Sequence, residues 1–140
     1  MARVLDIGAG YEPHPAATDA IDILDRKTLA SLGKQDGYVI PSRLLYKFGV
    51  DFNQALPYPA GTFQRAISRF SLATFGKPPA YREAHRVLRP GGSIEIWAGD
   101  SRKIARITRH LRGARFTGVA VEDLGQEEYR ITARKPLPRP

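Results

Sequence analysis

Two short segments near the start of the chain carry the pattern of buried β-strands. Residues 3–7 are typical of a strand that ends at Gly8, and residues 18–23 alternate apolar and acidic positions, which predicts a second strand. Only seven residues, two of them proline, separate Gly10 from Thr18. About one helical turn fits into that interval, so we do not expect the helix that commonly links two parallel strands.

The rest of the chain alternates between helical and extended patterns. The predicted elements, in order, are a helix over 25–32 closed by Gly33, a second helix opening at 41–42, a strand over 46–52, a turn-rich loop over 56–62, a strand over 63–70, a helix over 78–88 ended by the turn at 89–92, a strand over 93–97, an amphipathic helix over 101–111, and strands over 115–121 and 128–133. The last two strands have no helix between them, so we expect them to pair antiparallel.

This order of elements predicts the fold class. Strand–helix alternation that ends in two adjacent strands indicates an α/β fold, a three-layer α/β/α Rossmann-like sandwich around a mostly parallel seven-stranded sheet with one antiparallel strand. We expect a single domain over 1–134 and a disordered, proline-rich tail over 135–140. Ligands of such sheets bind at the carboxyl ends of the strands, which places the candidate site just after the first four strands.

Composition excludes several kinds of site. The 140 residues contain no cysteine, so disulfides and thiolate metal sites are excluded, and we predict no metal site. No apolar run approaches the roughly 20 residues that a membrane span needs, and no signal sequence precedes the first strand. We therefore expect a cytoplasmic protein without a membrane partner.

The positive charge is unevenly distributed. The chain carries 22 Lys and Arg against 14 Asp and Glu, a net charge of +8, and most of this excess lies between Lys77 and Arg115. Arg102, Arg106 and Arg109 share one side of the predicted helix over 101–111, which could hold nucleic acid or an acidic protein. The alternative is a solvated helix face, because no aromatic side chains alternate with these arginines to stack on bases.

Candidate chemistry begins at the first strand, where glycines allow a ligand to approach the backbone closely. Pro13 stands where a dinucleotide fingerprint has its third glycine, and no helix is expected there to hold a phosphate, so a ligand without phosphates is favoured. Asp19 and Asp22 in the second strand could each bind ribose hydroxyls, and Asp22 is nearer the carboxyl end; both could instead face solvent. Asp51 suits an adenine amino group or, alternatively, caps a turn.

Four motifs occur together along the chain: VLDIGAG, AIDI, VDFNQALPYPAGTFQRAISRFSL and REAHRVLRPGGSIEIW. Their order and spacing resemble the class I S-adenosylmethionine (SAM)-dependent methyltransferases, as a small member with a shortened first crossover and without the helices that commonly precede strand one. The resemblance implies SAM as cofactor. It also implies which residues contact each part of the cofactor. The amino-acid part would be bound by Asp6, Gly8, Ala9 and Gly10, and the ribose by Asp22. Adenine would be bound by Asp51 and Phe52, and the methyl end by Ser68 and Arg69.

The resulting hypothesis is a SAM-dependent methyltransferase with an unidentified methyl acceptor. In methyl transfer the acceptor displaces the sulfonium of SAM directly, so the protein mainly has to position the two reactants, and a base is needed only where the acceptor carries a proton. The sequence therefore does not identify the catalytic residues. Tyr11 and His14 are candidates for a base or a substrate contact, and the alternative for each is a surface loop residue. The alternative function is a catalytically inactive SAM-binding or interaction module of the same fold, completed by a partner chain or by dimerisation.

Overall fold

The computed structural model describes residues 2–139; Met1 and Pro140, at the ends of the predicted domain and tail, lie outside the described residues. Its elements are β1 Val4–Ile7, β2 Asp19–Asp22, α1 Arg26–Gln35, β3 Leu45–Phe48, β4 Phe63–Arg69, α2 Ser71–Phe75, α3 Pro78–Val87, β5 Leu88–Ala98, a 3-10 turn Ser101–Lys103, α4 Ile104–Gly113, β6 Thr117–Gly125 and β7 Glu128–Arg134.

The seven strands form one sheet in the order β3-β2-β1-β4-β5-β7-β6. The first five strands pair parallel, while β7 pairs antiparallel with both β5 and β6. The predicted fold class is thus confirmed, including the antiparallel pairing of the last two strands. The strand order reverses between β1 and β4, and ligands of such sheets bind outside the carboxyl ends at that point.

The helices cover the sheet on both faces because the crossovers run in opposite directions. The chain moves outward from β2 to β3 through α1, and in the other direction from β4 to β5 through α3. Right-handed crossovers therefore place α1 and α3 on opposite faces. The main core lies beneath α3 and α4, where Leu5, Ile94, Ile96, Tyr81 and Ile107 are fully or almost fully buried.

No helix forms between β1 and β2, as the short interval predicted. Residues 8–18 instead form turns, bends and irregular backbone. The backbone N–H of Thr18 donates to Val4 O at 2.9 Å, while the N–H groups of Gly8 and Ala9 donate to Ile21 O at 2.9 and 3.0 Å. These bonds bring the chain back beside β1 without a helix and leave the residues after Gly10 as a loop at the carboxyl edge of the sheet.

Several element boundaries differ from the prediction. Helix α1 runs past Gly33, which packs against Tyr11: a Cβ at Gly33 would lie 3.0 Å from Tyr11 Cβ. The helix predicted to open at 41–42 does not form, since those residues are a turn. The third strand ends at Phe48, so Asp51 and Phe52 belong to the following loop.

Three further differences concern the second half of the chain. Helix α2, immediately after β4, was not predicted. The turn at 89–92 is part of an irregular start of β5, with a register shift opposite β4. The basic helix begins as the 3-10 turn and continues as α4, two residues beyond the predicted end at Leu111.

Lys135 is the first residue of the predicted tail. Its N–H donates to Gly92 O at 2.9 Å, and its Nζ donates to the carbonyls of His85 and Leu88 at 3.0 and 2.9 Å. Lys135 thus joins the chain after β7 to the end of α3, whereas disorder over the rest of 135–140 stays a prediction. None of the described helices has the length and apolar character that crossing a bilayer requires.

Candidate functional site

The glycine turn after β1 forms the floor of the site. Gly8 and Gly10 have φ of +68° and +65°, a region that residues with a Cβ rarely adopt. A Cβ at Gly8 would also lie 2.4 Å from Ser71 Cβ, which is closer than packing allows. Ser71 Oγ donates to Gly8 O at 2.9 Å, so the start of α2 lies directly against the turn.

Asp22 holds the same turn from the end of β2. One of its carboxylate oxygens accepts from Gly10 N and the other from Leu24 N, both at 2.9 Å. The residue is 9% exposed, and each oxygen of a carboxylate has a second lone pair available for a further donor. Asp22 can therefore support the glycine turn and bind a hydroxyl of a ligand at the same time.

A pocket of about 590 Å³ opens at the carboxyl ends of the strands. It is lined by Gly8, Asp22, Ile23, Leu24, Asp51, Phe52, Asn53, Ser71, Phe75 and Lys77. Four of the residues predicted for the cofactor are thus brought together from three separate segments of the chain, whereas the predicted residues Asp6, Ala9 and Gly10 are not among the lining residues. Two carboxylates and one ammonium line the pocket, so its charge favours a neutral or cationic ligand over a phosphate.

The wall opposite Asp22 is a loop with its own hydrogen bonds. Asp51 accepts from Asn53 N at 2.9 Å, which makes it a turn cap as well as a pocket residue. The side chain of Asn53 donates to Phe75 O at 3.1 Å and accepts from Lys77 N at 2.7 Å. These bonds attach the loop after β3 to the end of α2 and hold Phe52 against the pocket.

Sequence reasoning missed the apolar and polar residues that complete the pocket: Ile23, Leu24, Asn53, Ser71, Phe75 and Lys77. Ile23, Leu24 and Phe75 are 64%, 40% and 67% exposed, respectively. A signal was available for Ile23 and Leu24, since they are apolar residues placed directly after a strand ends. Apolar side chains at a pocket mouth can cover a flat ligand.

Asp6, in β1, lies beneath the glycine turn and is only 1% exposed. Its Oδ2 accepts from His14 N at 2.7 Å, while Oδ1 has no hydrogen-bond partner within the described part of the chain. Burial raises the pKa of Asp6 to about 6, against the opposing effects of the His14 amide and the Arg69 guanidinium. Asp6 does not line the pocket, so its carboxylate can act on a ligand there only through its charge, across the glycine turn.

The structure places Ser68 and Arg69 outside the pocket lining. Ser68 is fully buried; its Oγ donates to Ile7 O at 2.9 Å and accepts from Leu72 N at 3.0 Å, so it joins β4 to β1 and α2. Arg69 donates to Glu12 O in the loop that follows the glycine turn. Of the two residues predicted for the methyl end, only Arg69 is partly accessible.

The two loop residues singled out from sequence do not line the pocket either. The hydroxyl of Tyr11 bonds to Asp36 Oδ2 beyond the end of α1. The ring of His14 lies 6.1 Å from that of Trp97, at the end of β5. Asp19, the alternative to Asp22, is buried in an ion pair with Arg3 at 2.7 Å, so only Asp22 of the two lies at the pocket.

The basic residues around α4 are partly engaged within the chain. Arg102 pairs with Asp100 at 2.7 Å, Lys103 donates to Thr74 Oγ1 at 3.0 Å and Arg106 donates to Ala73 O at 2.5 Å. Arg109, Arg112 and Arg115 are exposed. The exposed positive charge of this region therefore lies toward the end of the helix.

Comparison with known proteins identifies the family. The family model for the methyltransferase domain matches residues 27–96, which is 70 of the 140 residues. The chain belongs to the class I SAM-dependent methyltransferases. The matched region begins in α1 and ends in β5, and it includes Asp51 and Phe52. No curated protein sequence gives a significant match.

Solved methyltransferase-like structures share the fold over nearly the whole chain. The cyclase SpnF is 22% identical, with 98% of this chain and 76% of that chain covered and a TM-score of 0.72. A Burkholderia thailandensis 1,6-didemethyltoxoflavin N1-methyltransferase, solved with S-adenosylhomocysteine, is 20% identical over 96% of this chain and 71% of its own, with a TM-score of 0.71.

A SAM-dependent methyltransferase from Thermotoga maritima is 16% identical over 96% of this chain and 82% of its own, with a TM-score of 0.72. Identities this low establish the fold of the methyltransferase family. They do not carry over a substrate, and a fold alone does not determine the reaction.

Proposed function

We propose that the chain binds SAM in the pocket at the carboxyl ends of the strands and transfers its methyl group to an acceptor. The observation that carries the proposal is the charge and composition of the pocket. Asp22 and Asp51 face a space that Phe52, Ile23 and Phe75 border with apolar surface. A nucleoside attached to a cationic sulfonium matches both properties, whereas a dinucleotide phosphate matches neither.

The fit of SAM extends to the floor of the pocket. The carboxylate of Asp22 has lone pairs for the ribose hydroxyls, and the loop around Asp51 and Phe52 would bind adenine. The N–H groups of Gly8, Ala9 and Gly10 already donate to Ile21 O and Asp22, so the carbonyl groups of the turn would hold the ammonium of the amino-acid part. Asp6 lies beneath the turn and does not line the pocket, so its carboxylate would favour the ligand's ammonium group through its charge, without direct contact.

The residues of this chain would contribute positioning and desolvation to the reaction. Bound SAM supplies a methyl group on a sulfonium, which an acceptor displaces directly. Holding the two reactants in line accounts for much of the rate in such a reaction. The apolar residues Ile23, Leu24 and Phe75 would exclude water from the nucleoside, and Ser71 keeps the glycine turn in place through its bond to Gly8 O.

The alternative is a catalytically inactive SAM-binding or protein-interaction module, with a partner chain or a second copy completing the site. The cyclase SpnF shares the fold, so the architecture by itself does not require methyl transfer. The alternative shares the SAM pocket and differs only in the transfer step.

Two measurements test the proposal in sequence. A thermal-shift titration with SAM and with S-adenosylhomocysteine tests binding, and we expect the melting temperature to rise with either ligand. Incubation of the protein with cell extract and methyl-labelled SAM then tests transfer. Binding without label incorporation would support the inactive module, and the absence of any thermal shift would contradict both functions.

A separate proposal concerns a partner of the exposed arginines Arg109, Arg112 and Arg115. We propose nucleic acid, because clustered guanidinium groups bind phosphates without needing a base-specific pocket. The sequence has no Phe, Tyr or Trp between Arg109 and Arg115 for stacking on bases, so binding would depend on phosphate contacts. Binding of a single-stranded oligonucleotide that weakens steeply with salt supports this proposal, and binding of an acidic protein instead would replace it.

A further inference from the structure

A second polar cluster lies beside the glycine turn, outside the pocket proposed for SAM. It consists of His14 in the loop after β1, Arg69 at the end of β4 and Trp97 at the end of β5. Arg69 and Trp97 are neighbours in the β4–β5 register and so point to the same face of the sheet. The His14 ring lies 6.1 Å from the indole, and all three side chains are half-buried.

The loop determines which nitrogen of His14 carries the proton. Its Nδ1 accepts a hydrogen bond from Ala16 N at 3.0 Å. Burial, followed by the charges of Arg69 and Arg65, lowers the pKa of His14, which favours the neutral ring at neutral pH. A neutral ring that accepts at Nδ1 must hold its proton on Nε2. His14 is therefore a hydrogen-bond donor toward a ligand and has no lone pair at Nε2 with which to act as a base.

The charges around the cluster favour an anion. Arg69 donates to the carbonyl of Glu12 and has no carboxylate partner among the described residues. Arg65 is paired with Glu95 at 2.7 Å, so that pair is neutral overall. Two further acids lie nearby. Glu12 is exposed and screened by solvent, while Asp6 accepts from His14 N at 2.7 Å and offsets part of the charge of Arg69. Asp6 is only 1% exposed, so the accessible polar groups beside the half-exposed indole of Trp97 are hydrogen-bond donors.

We propose that His14, Arg69 and Trp97 form the methyl-acceptor subsite, and that the acceptor is a planar anion. Its ring lies against Trp97, and an ionised oxygen accepts hydrogen bonds from His14 Nε2 and from Arg69. This inference rests on the proposed function, since a methyl-acceptor subsite requires a methyl donor beside it. His14 is then a substrate-positioning residue, and the acceptor atom loses no proton to it.

The single tryptophan of the chain is at this cluster, so its fluorescence reports the subsite directly. The probes are benzoate, a planar anion, cyclohexanecarboxylate, a non-planar anion, and benzylammonium, a planar cation. Each is titrated into the full chain with and without S-adenosylhomocysteine. We expect benzoate to change the emission saturably and to bind at least about fivefold more tightly than cyclohexanecarboxylate, while benzylammonium produces no saturable change.

Variants separate the roles of the two donors. His14→Leu should weaken benzoate binding about tenfold, since one hydrogen bond to a charged group is lost, whereas His14→Gln keeps an amide donor and should stay within about threefold. Arg69→Lys should retain the preference for anions, and Arg69→Met should abolish it. Near-ultraviolet circular dichroism checks that each variant is folded.

Three outcomes would overturn the subsite: no response to benzoate, equal affinity for both carboxylates, or equal binding by the His14→Leu and His14→Gln variants. Because the titration also runs without nucleoside, it can fail while S-adenosylhomocysteine still binds. Failure of the nucleoside to bind, with benzoate still bound, would instead contradict the proposed function.

Discussion

Replacing Asp6 with asparagine separates the cost of burying a carboxylate from its use toward a ligand. Burial raises the pKa of Asp6 from 3.8 to about 6, and about 2 pKa units correspond to about 3 kcal/mol. The folded protein holds this proton more tightly than the unfolded chain does. The associated stabilisation is therefore complete below the unfolded pKa of 3.8 and is lost as the pH rises through about 6.

The assay is urea denaturation without ligand at about pH 4.5 and about pH 7.5. Between these values we expect the wild-type protein to lose about 2 kcal/mol more free energy of unfolding than Asp6→Asn, because the Asn side chain does not titrate. Asparagine can still accept the bond from His14 N through its carbonyl oxygen. Any constant effect of its new amide group cancels when the two pH values are compared.

The same variant should bind SAM several-fold more weakly, since it removes a negative charge beneath the turn that would hold the ammonium group. A smaller loss of stability between the two pH values would then accompany a loss of affinity. Parallel pH profiles for the wild-type and Asp6→Asn proteins would refute the reasoning, because they would show that Asp6 does not titrate with a raised pKa.

Four further substitutions test the pocket, the glycine turn and the basic helix. Asp22→Ala should weaken S-adenosylhomocysteine binding about 10- to 100-fold in a calorimetric titration. The control is Asp25→Asn, at an exposed carboxylate that caps α1, which should leave the affinity unchanged. Equal affinities of the two variants would mean that Asp22 does not bind ribose. Gly10→Ala should lower the free energy of unfolding by about 1 kcal/mol in urea denaturation, because Gly10 has a φ of +65°. Gly8→Ala should lower it by at least about 2 kcal/mol more, because the new Cβ would clash with Ser71. Equal losses of stability in the two variants would contradict this reasoning. Arg109→Gln should lower oligonucleotide affinity and reduce its salt dependence in fluorescence anisotropy, and an unchanged salt slope would exclude phosphate contact by this arginine.

The succession of strands along the chain was predictable because most strands are short apolar or alternating segments bounded by glycines, prolines or helical patterns. The two prolines and the small number of residues between Gly10 and Thr18 ruled out a helix there, and the structure has none. Adjacent strands at the end of the chain required antiparallel pairing. These features depend on local sequence, so the fold could be inferred without knowing any long-range contact.

The positions of Ser71 and Phe75 in the pocket depended on contacts that no local sequence pattern records. Helix α2 follows β4 directly because Phe70 adopts a φ of +74°, a conformation rare for an aromatic residue. That turn brings Ser71 onto Gly8 and places Phe75 at the pocket. Position in the strand favoured Asp22 over Asp19, but the ion pair that engages Asp19 with Arg3 could be seen only in the structure.

Isothermal titration calorimetry of the wild-type chain with S-adenosylhomocysteine, followed by SAM in competition, tests the cofactor site most directly. We predict saturable one-to-one binding of S-adenosylhomocysteine, displacement by SAM, and loss of at least about tenfold in affinity in Asp22→Ala. A folded protein that gives no binding heat with either ligand, and no displacement of one by the other at about millimolar concentration, would contradict the assignment of this pocket to SAM.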